Sequence, residues 1–469
     1  MRPPAAALAL LVVLPACPAP DSSADAGEDA DVVLDGDDDG GAEPQLPPAL
    51  VDESGRELYY LGVNVSESAK WAPDLLAGLT DAELDRLAAW GVTLVRLLLF
   101  WEGVEPERGR WDDDYLARLR SELDRYAARD IAVLLDMHQD LFGRGFGFAG
   151  APRWACDEAY YASFVPTEPW FMGYMSEEVN ACFDAFWADR TLWDEYRDAC
   201  ARAAAALGDH PAVVGFDLMN EPCPGTITSG FERSYLAPFY DHVAAGLAAA
   251  GFARPLFLEP SLTYDFVIST RLPPFGAGEV FAPHYYPTFA HSGEYDAGLL
   301  DRVRRDLDDV LADAVDLDAP LALGEFGTRN DVPDGPAYLA DVLDETLARG
   351  GSALVWDYGR GHPGSFSLLE PDGTPYPLHA ALVRPYAHRV AGRLFATSYD
   401  RDTRTLELAW RETGLREPTV LVVPDDWGTP RFTSSDPGGT WSVEPAGPRR
   451  WAVRVGARTA LHTLQVTAE

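Results

Sequence analysis

Two glutamates carry the chemistry this chain advertises, and each closes a short apolar run. Glu221 follows Val213-Val214-Gly215-Phe216-Asp217-Leu218-Met219-Asn220, and Glu325 follows Pro320-Leu321-Ala322-Leu323-Gly324. A carboxylate at the end of a buried strand is costly unless it is paired or used. Two of them supply what cleavage of a glycosidic bond requires, one acid and one nucleophile. Glutamates that only cap following helices are the plain alternative.

The elements that must position them follow from periodicity. Strand-like runs fall at 59–65, 93–99, 131–137, 213–219, 255–259, 279–285, 320–325 and 352–356, and helical stretches separate most of them, at 81–90, 113–129, 192–207, 233–250, 301–314 and 336–349. Near-continuous apolar strands joined by helical crossovers imply a parallel sheet covered on both faces. Eight of them imply a (β/α)₈ TIM barrel of the α/β class, with active residues where strands end at the carboxyl face. A doubly wound open sheet is the competing arrangement, but no glycine-rich phosphate loop follows any strand. The strand ends carry Lys70, Arg96, His138, Asp140, Asn220, His284, Tyr286 and Trp356 beside the two glutamates. Lys70 is the only lysine among 37 basic residues, which suggests a place where a compact ammonium reaching one hydroxyl is needed.

The last stretch changes character. Runs at 395–399, 405–410, 419–423, 440–443, 451–455 and 461–466 are short, β-branched or aromatic, and separated by Gly, Pro and Asp, which predicts a small all-β sandwich. The expected boundaries are a signal peptide at 1–17, an acidic disordered tether at 18–48, the barrel at 49–386 and the sandwich at 387–469.

Of 469 residues 47% are hydrophobic, which suits a globular protein, and the net charge of −38 argues against nucleic acid and anionic headgroups as electrostatic partners. Residues 21–43 hold ten acidic side chains and no basic one, a self-repelling tether. Before it, an apolar stretch at 5–16 suits a signal peptide rather than a membrane span. It ends Leu14-Pro15-Ala16-Cys17, which resembles a bacterial lipoprotein processing box with Cys17 as the lipidated residue. The expectation is an exported protein, held at the bacterial cell envelope and its membrane surface by that anchor, or secreted. Cys156, Cys182, Cys200 and Cys223 admit three pairings, and Cys156 with Cys182 would staple one aromatic-rich segment. No cysteine or histidine spacing suits a metal, and neither a cofactor nor an obligate protein partner is expected.

The constellation resembles glycoside hydrolase family 5, and within it the endoglycoceramidases. The matching pieces are Phe216-Asp217-Leu218-Met219-Asn220-Glu221-Pro222, Asp136-Met137-His138-Gln139-Asp140, Ser68-Ala69-Lys70, Val95-Arg96-Leu97, His284-Tyr285-Tyr286, Glu325 and Trp356. The resemblance implies Glu221 as acid/base and Glu325 as nucleophile in a retaining mechanism. Such a mechanism asks that the Glu221 carboxyl be held protonated until the leaving oxygen departs, and that Glu325 stay ionised beside Arg96. Tyr286 would bond the nucleophile's second oxygen and Asn220 the sugar 2-hydroxyl. His138, Asp140, Lys70 and His284 would contact other polar groups of the substrate, and Trp356 would lie under the sugar ring.

The segment 142–187 is long for a barrel loop and rich in Phe, Tyr and Trp. It is expected to form a lid over an apolar leaving-group site, with Gly143, Gly145, Gly147 and Gly150 letting it move. The resulting expectation is a retaining endo-β-glycosidase that cuts between a sugar or oligosaccharide and ceramide in glycosphingolipids. The alternatives are a β-glycosidase acting on another hydrophobic aglycone (a glucosyl or galactosyl lipid, a steryl glycoside) or on β-glucan or mannan. A glycan-binding lipoprotein without catalysis belongs to a different class.

Overall fold

Eight parallel strands close into a ring in the computed structural model, which describes residues 45–65, 67–265, 269–456 and 461–469. The apolar leader, Cys17 and the tether up to residue 44 lie outside the described residues. The strands are β1 (Leu61–Val65), β2 (Leu94–Leu99), β3 (Ala132–Met137), β4 (Val213–Asp217), β5 (Leu256–Leu258), β6 (Glu279–Phe281, continued by His284–Tyr285), β7 (Ala322–Phe326) and β8 (Ser352–Val355). The ring closes because β8 pairs with β1, while His284–Tyr285 of β6 pairs in parallel with β7. Helices wrap the outside, several started by side-chain caps. Thr80 and Glu83 form a reciprocal capping box, and Asp112, Ser176 and Asp189 each accept from a first-turn N–H.

The interior of the ring explains how an apolar barrel comes to carry charge. Leu94, Leu134, Phe257, Ala282, Ala322 and Leu354 form one buried layer inside it. Successive residues of a strand alternate faces, so two residues further on the side chain again points inward, one level nearer the carboxyl end. Those positions are Arg96, Asp136, Glu259, His284 and Trp356. Gly215 stands in the apolar layer because a Cβ there would lie 2.5 Å from the Phe257 ring, and Asp217 follows it at the charged level. On β7 the register shifts between Leu323 and Phe326.

The C-terminal region is a two-sheet sandwich around a separate apolar core that includes Leu406, Trp410, Leu421, Trp427 and Val466. One sheet is Arg393–Asp400, Thr405–Arg411, Leu461–Ala468 and Pro430–Ser434. The other contains Tyr386–Val390, Thr419–Val422, Arg450–Val455 and Trp441–Gly447, extended by Glu57–Leu58 and Leu50–Val51. Here the structure departs from the sequence-based boundary. The strands at 50–58, assigned to the barrel, are part of the sandwich, through Leu58 opposite Arg389 and Glu57 opposite Val390. Two-residue strands carry too little pattern to say which sheet edge they will join.

Cys156 and Cys182 are joined by a disulfide, and Cys200 and Cys223 are buried thiols. The bridge ties the 3-10 turn Arg153–Ala155 to the helix Glu177–Ala188, closing the aromatic segment that follows β3.

Candidate active site

Arg96 sits at the centre of the charged level and is completely buried. Its Nε donates to Asp217 Oδ2 (2.9 Å), its Nη1 to Glu325 Oε1 (2.6 Å) and Asn64 Oδ1 (3.1 Å), and its Nη2 to Glu259 Oε1 (2.8 Å) and Asn220 Oδ1 (2.9 Å). Asp136 Oδ1 lies 3.0 Å from the same Nη2. Burial alone would make this guanidinium easier to deprotonate, but the surrounding acids Asp136, Asp217, Glu325 and Glu259 hold its proton more tightly than usual. Its donors are thus committed to protein groups. It lies beneath the site and holds the nucleophile, as expected of the cation beside Glu325, and it does not reach substrate.

The two glutamates face each other across the mouth of the barrel. One oxygen of Glu221, one ring nitrogen of His284 and one oxygen of Glu325 all lie within 4.8 Å of one another. Retaining glycosidases hold their carboxyls roughly 5–5.5 Å apart, too close for a water between nucleophile and sugar. Tyr286 donates to Glu325 Oε2 (3.0 Å), and Arg96 binds Oε1. Burial raises the Glu325 pKa above the ordinary carboxylate range. The cations His284 and Arg96 oppose that rise, and the Glu221 carboxyl adds to it.

His284 Nδ1 is 3.0 Å from Glu221 Oε1 and 3.7 Å from Glu325 Oε2, and Nε2 is 3.2 Å from Glu259 Oε1. Burial would discharge this imidazole, yet Glu259 and Glu325, with the contact to Glu221, push its pKa well above normal. Three donor atoms at this spacing would suit a metal ion, but a ligand imidazole must give up the proton that these carboxylates stabilise. The trio reads as acid–base machinery.

A second group borders the pair. Lys70 Nζ binds Asp140 Oδ2 (2.7 Å) and lies 4.2 Å from the centre of the Trp356 ring. His138 stacks on Trp356 with centroids 5.7 Å apart, donates or accepts at Asp136 Oδ2 (2.9 Å) through Nδ1, and reaches Asp140 Oδ2 at 3.5 Å. Burial would neutralise Asp140, but Lys70 and His138 hold its carboxyl well below the usual range. Burial and Lys70 depress the His138 pKa, and Asp136 and Asp140 more than compensate. The result is a flat indole flanked by a cation, an anion and an imidazole, a set suited to a polyhydroxylated ring. Asn220 is anchored at both ends of its amide, accepting from Arg96 and donating to the Gln139 carbonyl (3.0 Å), with one N–H left for a hydroxyl.

Every side chain the sequence singled out for substrate or catalysis therefore lies in one network, and three more belong to it. Glu259 ends the run at 255–259, and Asp136 and Asp217 interrupt apolar strands. An acid inside a buried strand requires a buried cation, and that signal was present in the sequence. Gln139 is the fourth addition: its Nε2 donates to the carbonyls of Asn220 (2.9 Å) and Glu221 (3.1 Å).

The segment after β3 divides into two roles. Phe142, Phe146, Tyr161, Tyr174, Phe183, Phe186 and Trp187 are buried in the main core, so most of its aromatics hold the segment down. Gly143, Gly145 and Gly150 are steric necessities more than hinges. A Cβ at Gly145 would overlap the Tyr161 ring, and one at Gly143 would lie 2.3 Å from the Ala151 nitrogen. Phe148, Trp170 and Phe171 instead join Trp71, His291 and Tyr286 in a continuous aromatic ribbon. Trp71 meets Phe148 (5.3 Å), Phe148 meets Trp170 (5.1 Å), Trp170 meets Phe171 (6.2 Å), Phe171 meets His291 (5.3 Å), and His291 meets Tyr286 (5.5 Å). Burial lowers the His291 pKa, so this imidazole stays uncharged. The ribbon runs from the nucleophile's hydrogen-bond donor to Trp170 and Trp71, which are 42% and 53% exposed.

A (β/α)₈ barrel with this carboxylate pair at its carboxyl face is the working part of a glycoside hydrolase. The chain belongs to glycosyl hydrolase family 5: the family's cellulase model matches residues 51–361, and the model of the family 5 C-terminal domain matches residues 384–466. Among its relatives is endoglycoceramidase I of Rhodococcus hoagii, 30% identical over 406 residues, which cover 80% of this chain and 78% of that protein. Endoglycoceramidase of Cyanea nozakii is 25% identical over 421 residues, 80% of this chain and 82% of that one. The solved structure of endo-glycoceramidase II from Rhodococcus sp. in complex with ganglioside GM3 superposes with a TM-score of 0.77, at 28% identity, covering 90% of this chain and all of that one.

Proposed function

We propose that this glycoside hydrolase is a retaining endo-β-glycosidase that releases the glycan of a glycosphingolipid from its ceramide. The observation that carries the reading is the aromatic ribbon beginning at Tyr286, beside the catalytic pair, and ending at the exposed Trp170 and Trp71. An aromatic track of this length suits a lipid leaving group better than a second sugar, whose hydroxyls would lie against ring faces. The relatives named endoglycoceramidase support the same substrate class.

In the first step Glu325 attacks the anomeric carbon, the bond to the ceramide oxygen breaks, and the Glu221 carboxyl gives that oxygen its proton. A water then gives its proton to Glu221 as its oxygen displaces Glu325, restoring both groups and leaving the sugar in its original β configuration. Lys70, Asp140, His138 and Trp356 bind the sugar that is cleaved. The enzyme is exported and held at the bacterial envelope through Cys17, close to membrane-borne substrate. The Leu14-Pro15-Ala16-Cys17 box and a disulfide compatible with an oxidising compartment support this placement.

The test is a mass-spectrometric screen of ceramide release from glucosyl-, galactosyl- and lactosylceramide, run beside a steryl glucoside and cello-oligosaccharides. Faster turnover of cello-oligosaccharides than of any lipid sinks the lipid assignment. Glu325→Gln should be inactive on all of them with its fold intact, and proton NMR should show the β anomer first. An initial α product would rule out retention.

A further inference from the structure

Glu259 binds three separate parts of the catalytic apparatus with one carboxylate. Its Oε1 accepts from Arg96 Nη2 (2.8 Å) and faces His284 Nε2 (3.2 Å), and its Oε2 accepts from the Glu221 backbone N–H (2.7 Å). It is 2% exposed, so it acts through these neighbours and cannot reach a substrate. The backbone it grips is unusual. Glu221 has φ +44°, in the left-handed region that a side chain with a Cβ rarely occupies. The Glu221 carbonyl is held as well, by Gln139 Nε2. The imidazole on the other side of Glu259 bonds the Glu221 carboxylate through Nδ1. The acid/base is thus held twice by one anion, at its main chain directly and at its side chain through His284.

We propose that Glu259 is the positioning residue for the acid/base, gripping the Glu221 main chain directly and holding beside it the His284 ring that orients the Glu221 carboxyl. With Nε2–H facing Glu259, Nδ1–H faces Glu221 Oε1, and the other Glu221 oxygen is left to carry the proton for the leaving group. A neutral group cannot substitute. A glutamine at 259 offers one oxygen and one NH₂, so it must turn the NH₂ either toward the Glu221 N–H or toward Arg96 and His284. The charges around the imidazole are Glu221, Glu259, Glu325 and, within the same buried cluster, Arg96 and Asp217. Tyr240 donates to the Glu259 carbonyl (2.8 Å), which fixes the strand end that carries it. Glu259 is the largest of the acids that raise the His284 pKa.

This inference rests on Glu221 being the acid/base, and its test uses an aryl β-glycoside so that the outcome does not depend on the lipid. In the wild type the alkaline limb of kcat/KM marks loss of the proton that His284 holds among its carboxylates. Glu259→Gln should move that limb down by about one pH unit or more, because an anion beside the ring is removed. Glu259→Asp keeps the charge, and should keep the limb while lowering kcat. A purely structural role would lower the rate at every pH and leave the limb in place, and that result overturns the proposal. If Glu259→Gln does not fold, ¹⁵N NMR of the wild-type imidazoles decides. His284, assigned by its loss in His284→Gln, should be protonated on both nitrogens at pH 7, and a neutral ring overturns the proposal. A wild type that turns over no β-glycoside sinks the hydrolase reading instead, whatever the NMR shows.

Discussion

Asp136 and Asp217 stand directly opposite one another on neighbouring strands and share one guanidinium, that of Arg96, at 3.0 and 2.9 Å. Asp136 meets it through Oδ1 and Asp217 through Oδ2, and the Asp217 Oδ1 is buried without a hydrogen-bond partner. Burial first, then Glu259, lifts the Asp217 pKa well above the ordinary range, and Arg96 opposes that rise.

Asp217→Asn keeps an oxygen that accepts from Arg96 Nε and removes one of several acids crowded together, so it should cost less than about 1 kcal/mol. Arg96→Met should cost about 3–5 kcal/mol or abolish folding, because it strands several buried carboxylates without their cation. Urea unfolding of both variants measures the difference. Equal losses would show that the Asp217 carboxylate is needed as much as the guanidinium it binds.

The pH–rate profile should show the raised pKa of Glu325. The nucleophile works only when ionised, so kcat/KM falls as pH drops through a pKa above the usual glutamate value of about 4.3. Tyr286→Phe removes a donor to the ionised carboxylate. That change should move the acidic limb up by about half a unit to one unit and lower kcat. An acidic limb at the ordinary value in the wild type, unmoved in Tyr286→Phe, contradicts both statements.

How much of this was legible beforehand depends on how local each signal is. All eight barrel strands were readable, because each is an apolar run of its own, and the residues at their ends followed from the fold. Glu259 was not singled out, since a strand-end acid followed by Pro260 looks like any turn until Arg96, His284 and Glu221 are brought to it by three other strands. Arg96 was legible as the cation beside Glu325, but not the three further acids it binds, because the depth of a side chain is not visible in sequence. The aromatic segment after β3 was recognised as a unit. Which of its rings turn inward, such as Phe183 and Trp187, and which outward, such as Trp170, depends on packing against helices far along the chain.

Lys70 is held between Asp140 and the Trp356 face, and its side chain is 5% exposed. Lys70→Met should lower kcat/KM about tenfold to a hundredfold, the loss of one good charge-assisted contact. Part of that loss comes from Asp140, which would be left buried without its cation and would take up a proton more readily. The double variant Lys70→Met, Asp140→Asn should therefore lose less than the product of the two single losses. Lys70→Arg should not restore the rate, because a planar fork is a poor fit where a point charge sits 4.2 Å from an indole ring. Full activity in Lys70→Arg would mean that charge alone is required.

Trp170 and Phe148 sit in the ribbon between the exposed rim and Tyr286, outside the hydrogen-bonded network of the two glutamates. Trp170→Ser removes a large apolar surface from the leaving-group track and touches nothing that moves a proton. Losing that contact should cost about 1.5–3 kcal/mol of binding, which is roughly tenfold to a hundredfold in kcat/KM for a ceramide substrate. An aryl β-glycoside has no lipid to lay along the track, so its kcat and KM should stay within about twofold of wild type. The comparison is made with both substrates in the same detergent, so that micelle partitioning is common to the two enzymes. Equal losses on both substrates would mean that Trp170 supports the site only by packing, and that the ribbon is not where the leaving group lies.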